Sequence, residues 1–469
     1  MPLKRYAACM RMVVLLLTGA AAIAAERPVV NDVTQLNPIM VERIVVPTRL
    51  EHIVDAVRSH PGPVSIGGAR YSMGGQTATE HSLHLDMRQF DRVLRFAPQD
   101  KEITVQTGIT WRQIQEVIDP HDLSLQVMQS YANFTVGGSL SVNAHGRYIG
   151  HGPIVSTVKL IRMVLADGRA VTASPEHNPD LFYGAIGGYG GLGVIVEATL
   201  RLADNVRVER RTRVMPLAEY RRYFEKHIAS GDVIFHNAIL YPERFDTVRS
   251  VSYAATARAV TEPRRLIPPE RNYGIDRTLL RVTSDLPFGK TLRRRILEPL
   301  YFSFDAVEWR NYQASYDVKS LEPLSEPDAI FALQEYFVPV GQLERFAGQL
   351  RQTFARHGVN VVNVSIRHAR KDPGTLLAWA REDVFAFVIY YKQGKTGRDQ
   401  EAVRQWTREL IDAATGLGGS YYLPYQIHAT DAQFHAAYPN AQRYFALKRR
   451  VDPANKFRNK LWDAYYKPR

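Results

Sequence analysis

Residues 66–75 read Ile66-Gly67-Gly68-Ala69-Arg70-Tyr71-Ser72-Met73-Gly74-Gly75. They directly follow a short apolar run, Val64 to Ile66, which predicts a β-strand. Small residues let consecutive backbone N–H groups converge on an anion, so the expected ligand of such a turn is a pyrophosphate. Glycine turns after strands are common, and this turn alone is equally consistent with a structural role.

Two further glycine clusters follow. Thr135-Val136-Gly137-Gly138-Ser139 precedes more small and polar residues, which would allow a flat ring and its phosphates to lie against the backbone. Residues 187–193 contain a formal G-x-G-x-x-G, but the nicotinamide-binding form of that motif follows a strand and opens a helix. Here a predicted helix, Asp180 to Ile186, comes first and a predicted strand, Gly193 to Leu202, follows. The order excludes nicotinamide binding at this motif.

Predicted strands and helices alternate through the first 200 residues, which indicates an α/β or α+β fold. Thr48 with Glu51, and Thr110 with Gln113, have capping-box spacing and predict two helix starts. Asp167-Gly168, between two β-rich runs, predicts a hairpin.

A second domain is predicted from residue 206 to 469, where arginine and tyrosine become frequent. Predicted strands at 330–338, 359–368 and 384–391, with helices at 343–357 and 401–414, indicate a sheet covered by helices on one face. The proline- and arginine-rich stretch 261–295 predicts a long loop or lid.

The glycine clusters, in their order with a T-G-x-x-W segment at Thr107-Gly108-Ile109-Thr110-Trp111, resemble the PCMH-type FAD-binding domain of the vanillyl-alcohol-oxidase family. The resemblance covers residues 38–203 and implies an α+β fold with a two-part FAD-binding domain and a separate cap domain. It also implies that the C-terminal segment returns toward the flavin. The residues that it assigns to FAD are Gly67, Gly68, Ala69, Arg70, Tyr71, Ser72, Gly108, Gly137, Gly138, Ser141, His145, Gly146, Val194 and Ile195.

Many members of this family link the flavin covalently to a histidine in the first glycine turn. Tyr71 occupies that position here, so the resemblance implies non-covalent FAD. His145 and His151 have no carboxylate or cysteine partners in the sequence, and we expect no metal site.

The second half resembles, more loosely, the cap domains of sugar-1,4-lactone oxidases and alditol oxidases. It is also similar to the flavin subunit of decaprenylphosphoryl-ribose 2'-epimerase. Arg367 matches the arginine of the family's E-x-R pair, while Ser365 replaces its glutamate. Tyr425 and His428 stand in the stretch where relatives carry catalytic histidine or lysine, and either could accept a proton. Gln334, on a strand expected to face the flavin, is a weaker catalytic candidate.

Alcohol oxidation by a flavin requires a hydride acceptor, a proton acceptor and positive charge near the developing alkoxide. We therefore expect hydride transfer from a CH–OH group of a sugar, aldonolactone or polyol to flavin N5, with oxygen, a quinone or a redox protein as electron acceptor. The alternatives are oxidation of a lipid-linked, polyprenyl-phosphate sugar and a flavin-binding protein that has lost catalysis.

Residues 1–25 combine basic residues, a short apolar core and small residues, as a signal peptide does. This predicts export to the periplasm or beyond, with an uncleaved inner-membrane anchor as the alternative. Cys9 in this leader is the only cysteine, which excludes disulfides and iron–sulfur clusters in the mature chain. The net charge of +13 permits contact with a membrane surface. No basic aromatic stripe indicates nucleic acid.

Overall fold

The computed structural model describes residues 27–242, 244–320 and 328–468 of the chain. The predicted leader lies outside the described residues. None of the helices in these ranges has the length and apolar character that a membrane crossing requires.

The strands of the first half are β1 (Val29–Val30), β2 (Ile39–Met40), β3 (Arg43–Val45), β4 (Val64–Gly67), β5 (Leu83–Asp86), β6 (Val93–Ala97), β7 (Glu102–Gln106), β8 (Leu123–Leu125), β9 (Val158–Val164), β10 (Ala170–Ala173) and β11 (Val194–Asp204). Those of the second half are β12 (Arg207–Pro216), β13 (Val233–Leu240), β14 (Thr247–Ala255), β15 (Val307–Trp309), β16 (Ala329–Pro339), β17 (Asn360–Ala369), β18 (Val384–Gly394) and β19 (Ser420–Tyr421).

The helices of the first half are α1 (Leu50–Ser59), α2 (Trp111–Ile118), α3 (Val136–Ser141) and α4 (Pro179–Ala185). Those of the second half are α5 (Leu217–His227), α6 (Gly274–Asp285), α7 (Gly289–Leu292), α8 (Glu298–Ser303), α9 (Arg310–Gln313), α10 (Leu343–His357), α11 (Gly397–Gly416), α12 (Asp431–Ala437), α13 (Ala441–Val451) and α14 (Lys460–Tyr465). A π-helical turn, Arg293–Leu297, joins α7 to α8.

The first half contains two main sheets. A small parallel sheet has the order β3-β5-β4, and an antiparallel sheet has the order β10-β9-β11-β7-β6, with β8 paired to β11. Ile53 and Val57 of α1 pack against Leu83 and Leu85 of β5, so α1 and the small sheet share one core. These sheets, with the antiparallel sheet of the second half, confirm the predicted α+β class.

The N-termini of α2 and α1 differ in whether the predicted capping box forms. Thr110 caps α2 as predicted, because its side chain accepts from the Gln113 amide while Gln113 reaches back to the Thr110 amide. The capping box predicted at Thr48 is wrong. Helix α1 begins one residue too late for that box, with Arg49 at the N-cap and no side-chain cap hydrogen bond.

The predicted hairpin at Asp167-Gly168 is confirmed, since β9 and β10 pair antiparallel on either side of it. Gly168 has a φ of +78°, in the left-handed region that such a turn requires. Helix α4 precedes the third glycine cluster and β11 follows it, which is the order that the sequence predicted.

The second half is built on an eight-stranded antiparallel sheet with the order β15-β12-β14-β13-β17-β18-β16-β19. Helices α10 and α11 cover one face: Tyr336 packs on Phe346 and Tyr391 packs on Trp406. The sheet covered by helices on one face is confirmed. Its other face borders the first half.

The long loop predicted over 261–295 is wrong for most of its length, because residues 274–304 form α6, α7, the π-helical turn and α8. We call residues 274–304 the helical insert. Ile275, Leu279, Val282 and Leu286 recur at helical spacing, and the flanking prolines and arginines obscured that pattern.

The C-terminal segment returns to the first half. Phe457 forms a parallel β-bridge with Val64 at the start of β4. The buried Lys448 ammonium donates to the Gly191 carbonyl oxygen at 2.8 Å and pairs with Asp452 at 2.9 Å. These contacts hold the third glycine cluster in place. The boundaries 38–203 and 206–469 stay a prediction.

Candidate active site

A cavity of about 510 Å³ lies between the glycine clusters of the first half and the uncovered face of the eight-stranded sheet. This volume lies within the usual range of small-molecule sites. The first half contributes small and polar residues, and the second half contributes Phe331, Leu333, Glu335, Arg367, Tyr390 and Tyr425.

The turn after β4 forms one wall of the cavity. A Cβ at Gly68 would collide with Thr135 Oγ1, so glycine is required for this close approach. Arg70 adopts a φ of +62° and pairs with Asp86 at 2.9 Å, which fixes the turn. The backbone N–H groups of Gly68, Ala69 and Ser72 donate no hydrogen bond within the described residues. They are available to an anion in the cavity.

The second glycine cluster forms another part of the same wall. Thr135 caps the short helix α3 through the Gly138 amide, which presents Gly137 and Gly138 to the cavity. Thr107 donates to the Ile195 carbonyl at 2.6 Å, so the T-G-x-x-W segment joins the third cluster to the second.

The structure brings most of the predicted residues together. Those that line the cavity are Gly68, Ala69, Arg70, Tyr71, Ser72, Gly137, Gly138, Ser141, His145, Ile195, Arg367 and Tyr425. The predicted residues that do not line it are Gly67, Gly108, Gly146, Val194, Gln334 and His428. A Cβ at Gly108 or Gly146 would collide with the Met87 or Met128 carbonyl oxygen, so both are small for backbone packing.

A buried carboxylate, Glu335, organises the second half's side of the cavity. Its Oε1 lies 2.6 Å from His145 Nε2, and its Oε2 accepts a hydrogen bond from the Tyr425 hydroxyl at 3.1 Å. The side chains of Glu335 and His145 are only 3% and 4% exposed. Trp379 and Tyr422 flank the His145 ring. One carboxylate is thus shared by two groups that can carry a proton.

Tyr425 remains a neutral phenol in this environment. Burial raises the pKa of its hydroxyl well above the usual value, and the neighbouring Glu335 charge raises it further. A phenolate base is therefore disfavoured, while a phenol that donates to Glu335 can still accept a hydrogen bond from a ligand.

Arg367 supplies the positive charge on β17. The guanidinium lines the cavity, and its Nε is buried without a hydrogen-bond partner within the described residues. Burial lowers the pKa of Arg367, and Glu335 acts in the opposite direction. A buried donor without a partner indicates that a ligand group completes this site.

Glu335 places a carboxylate in the same row of the sheet as Ser365, the residue that replaces the glutamate of the E-x-R pair. Ser365 and Glu335 both pair with Val388, from opposite sides of β18. Two strand spacings separate them, about 10 Å. The Glu335 carboxylate therefore lies in the same row of the sheet as Ser365, two strands away.

Glu335 was missed because both alternating sets of β16 are largely apolar, so the sequence did not decide which set faces the cavity. The sequence favoured Gln334. In the structure Leu333 and Glu335 line the cavity, and Gln334 lies on the helix-covered face with Tyr336.

His428 also lies away from the cavity lining. Burial lowers its pKa to about 3, with Arg404 and Arg408 of α11 adding to the effect. The Arg408 side chain donates to the His428 carbonyl oxygen at 2.7 Å. The ring therefore stays neutral among the helices.

The donors and small residues of the first wall fit a dinucleotide diphosphate. Comparison with known families agrees, since the model of the FAD binding domain matches residues 41–174. Residues 41–174 are an FAD-binding domain. FAD is therefore the cofactor, as the resemblance implied, and non-covalent attachment stays a prediction.

Several curated relatives act on sugar lactones. D-arabinono-1,4-lactone oxidase of Yarrowia lipolytica is 30% identical over 156 residues, 32% of this chain and 30% of the relative. Mitochondrial L-galactono-1,4-lactone dehydrogenase of Arabidopsis thaliana is 31% identical over 164 residues, 35% of this chain and 26% of the relative. In these two matches the chain spans less than a third of the relative's length.

L-gulonolactone oxidase of Bos taurus matches over a longer range, 21% identical over 430 residues, 88% of this chain and 92% of the relative. The resemblance to sugar-lactone oxidases is thereby confirmed. The likeness to alditol oxidases and to the epimerase subunit stays a prediction. Within the described ranges, no cluster of three His, Cys, Asp or Glu residues could hold a metal ion.

Proposed function

We propose that this protein is an FAD-dependent oxidoreductase that oxidises a CH–OH group of a sugar-like substrate, with an aldonolactone as the first candidate. The observation that carries the proposal is one cavity in which the FAD-binding turns face Glu335, Tyr425 and Arg367. The lactone-oxidising relatives support the substrate class.

The proton route is derived from the hydrogen bonds of Tyr425. The substrate hydroxyl donates to the Tyr425 oxygen while the Tyr425 proton moves to Glu335 Oε2, and His145 stays hydrogen-bonded to Oε1 and holds the carboxyl group in place. The tyrosine stays neutral before and after the step, which agrees with its raised pKa. Glu335 is the final acceptor.

Arg367 acts on the charge that develops on the substrate oxygen. Burial has already removed water from its guanidinium, so its charge acts strongly on an alkoxide in the cavity. Bound FAD supplies a two-electron acceptor for the hydride. The C–H hydrogen leaves with its bonding electrons and the hydroxyl proton leaves to the protein, so the alcohol becomes a carbonyl.

A second candidate substrate is a lipid-linked sugar. Its support is the apolar outer part of the cavity, where Ile330, Phe331, Leu333, Val388 and Tyr390 could contact a prenyl chain. Export to the periplasm belongs to the same proposal, as does electron transfer to oxygen, a quinone or a redox protein.

The test is anaerobic reduction of the bound flavin by a panel of free lactones, polyols and prenyl-phosphate sugars. Bleaching of the flavin absorbance by a lactone or polyol supports the first candidate. A preference for the prenyl-phosphate sugar selects the second. Persistent colour with every compound would indicate a flavin-binding protein without this activity.

A further inference from the structure

The helical insert, residues 274–304, carries most of the large apolar side chains that the described surface exposes. Of fourteen such residues, eight lie in the insert: Ile275, Leu279, Leu286, Phe288, Ile296, Leu300, Tyr301 and Phe304. Phe304 and Phe288 are 66% and 60% exposed. Concentration in one short segment distinguishes this surface from the single apolar residues that most protein surfaces carry.

Helix α6 turns an apolar stripe away from the protein. Ser284 is 8% exposed and faces the protein. On the opposite side, Ile275 and Leu279 are 78% and 40% exposed. A helix that stabilised only this fold would bury its apolar stripe, so the outward stripe indicates an apolar environment outside the protein.

The insert is firmly attached to the sheet. Asn360 donates to the Ser284 carbonyl at 2.9 Å, and Arg293 donates to the Val362 carbonyl at 3.2 Å. Lys392 pairs with Asp285 at 2.7 Å. The exposed stripe is therefore presented by an ordered element.

The charges of the insert favour an anionic surface. The helical insert contains six Lys or Arg residues and three Asp or Glu residues. Arg281 and Arg295 are exposed beside the apolar residues. Glu298 faces inward, where it accepts a hydrogen bond from Tyr241 at 2.6 Å and pairs with Arg293 at 2.7 Å. Apolar side chains with interspersed arginines are the pattern of an interfacial helix on anionic lipid.

We propose that the helical insert docks this protein on an anionic lipid bilayer, with its exposed apolar side chains in the interface. Leu280 of α6 packs against Phe331 and Tyr390, which line the cavity. Docking therefore places the outer part of the cavity next to the bilayer. The proposal is independent of the reaction catalysed.

The experiment uses the full chain with Cys9→Ser, which removes the only cysteine. Ser303→Cys is then labelled with an environment-sensitive dye, and the labelled protein is mixed with vesicles of phosphatidylcholine and phosphatidylglycerol. We expect a blue shift and increased emission. The same dye at Ser230→Cys, on an exposed site outside the insert, should not respond, so a signal caused only by the leader is distinguished.

Substitutions on the apolar stripe test the surface itself. Ile275→Ser, Leu286→Ser and Phe304→Ser together should weaken the vesicle response about tenfold or more. Leu94→Ser with Val214→Ser, which are 45% and 47% exposed elsewhere, should leave it unchanged. Absence of a response at Ser303→Cys, equal loss in both sets, or a response to protein concentration without vesicles would overturn the proposal. The last result would indicate a second copy of the chain.

Discussion

In the proposed reaction, the substrate proton reaches the buried carboxylate of Glu335 through Tyr425. Tyr425→Phe removes the hydroxyl that donates to Glu335 at 3.1 Å, and we expect the turnover number to fall about 100-fold or more. Steady-state kinetics on the substrate found in the reduction panel measures the change. The matched control is His428→Gln, since His428 does not line the cavity. Equal losses in the two variants would contradict the relay.

The role proposed for Arg367 is to stabilise the negative charge that develops on the substrate oxygen. Arg367→Met keeps much of the side-chain volume and removes the guanidinium, so kcat/KM should fall about 100- to 1000-fold. The thermal midpoint should not fall, because Arg367 Nε is buried without a hydrogen-bond partner within the described residues. Calorimetry and kinetics on the same preparation measure both. Unchanged kcat/KM would exclude the role proposed for Arg367.

The sequence identified Arg367 and Tyr425 by their motif positions, but it could not identify Glu335. Glu335 and His145 are 190 residues apart, and their contact depends on how two domains meet. The choice between Gln334 and Glu335 depended on which face of β16 is covered by helices. That choice is fixed by tertiary packing, because both alternating sets of residues are apolar enough to be buried.

Among the secondary-structure elements, the turn after β4 is the one that we propose binds the diphosphate of FAD. Gly68→Ala places a Cβ against Thr135 Oγ1, so the turn must shift and FAD affinity should fall at least about tenfold. Gly348→Ala on α10, where a Cβ meets nothing within 4 Å, is the control and should bind FAD normally. Flavin fluorescence during titration of apoprotein measures both affinities. Normal FAD binding by Gly68→Ala would contradict the assignment of this turn.

Elements with strong local signals were predicted well, and those set by context were not. The Thr110 box and the Asp167-Gly168 hairpin are short-range patterns whose partners lie within a few residues. The Thr48 box has the same spacing, but Thr48 lies one residue before the N-cap of its helix. The helical insert was missed because the flanking prolines and arginines obscured its apolar periodicity.

At the scale of the whole molecule, buried histidines make stability depend on pH. Burial lowers the pKa of His84, His236 and His428 to about 3, and that of His368 to about 4. In the unfolded chain the pKa is about 6.5, so below that pH the unfolded state binds more protons. The buried histidines therefore contribute fully to the free energy of unfolding above about pH 6.5, and this contribution is lost as the pH falls toward about 4.

We expect the free energy of unfolding to fall between about pH 7 and about pH 5, as measured by denaturant titration. His428→Gln removes one of these titrations and should reduce the slope, with little change at neutral pH. A free energy that rises on acidification would show that these rings are protonated in the folded protein.

The cofactor could be predicted because the glycine clusters keep a fixed order along the chain. The shared cavity could not, since its walls come from residues 33 to 425 and form only when the domains meet. The most informative experiment therefore changes residues of this shared cavity.

The most direct measurement is single-turnover reduction of bound FAD by substrate without oxygen, comparing the wild type with Glu335→Gln and Gln334→Leu. We expect rapid bleaching in the wild type and in Gln334→Leu, which changes only the helix-covered face of β16. In Glu335→Gln we expect bleaching slowed about 100-fold or more, because the proton has no acceptor. Equal rates in the wild type and Glu335→Gln would show that Glu335 is not the proton acceptor.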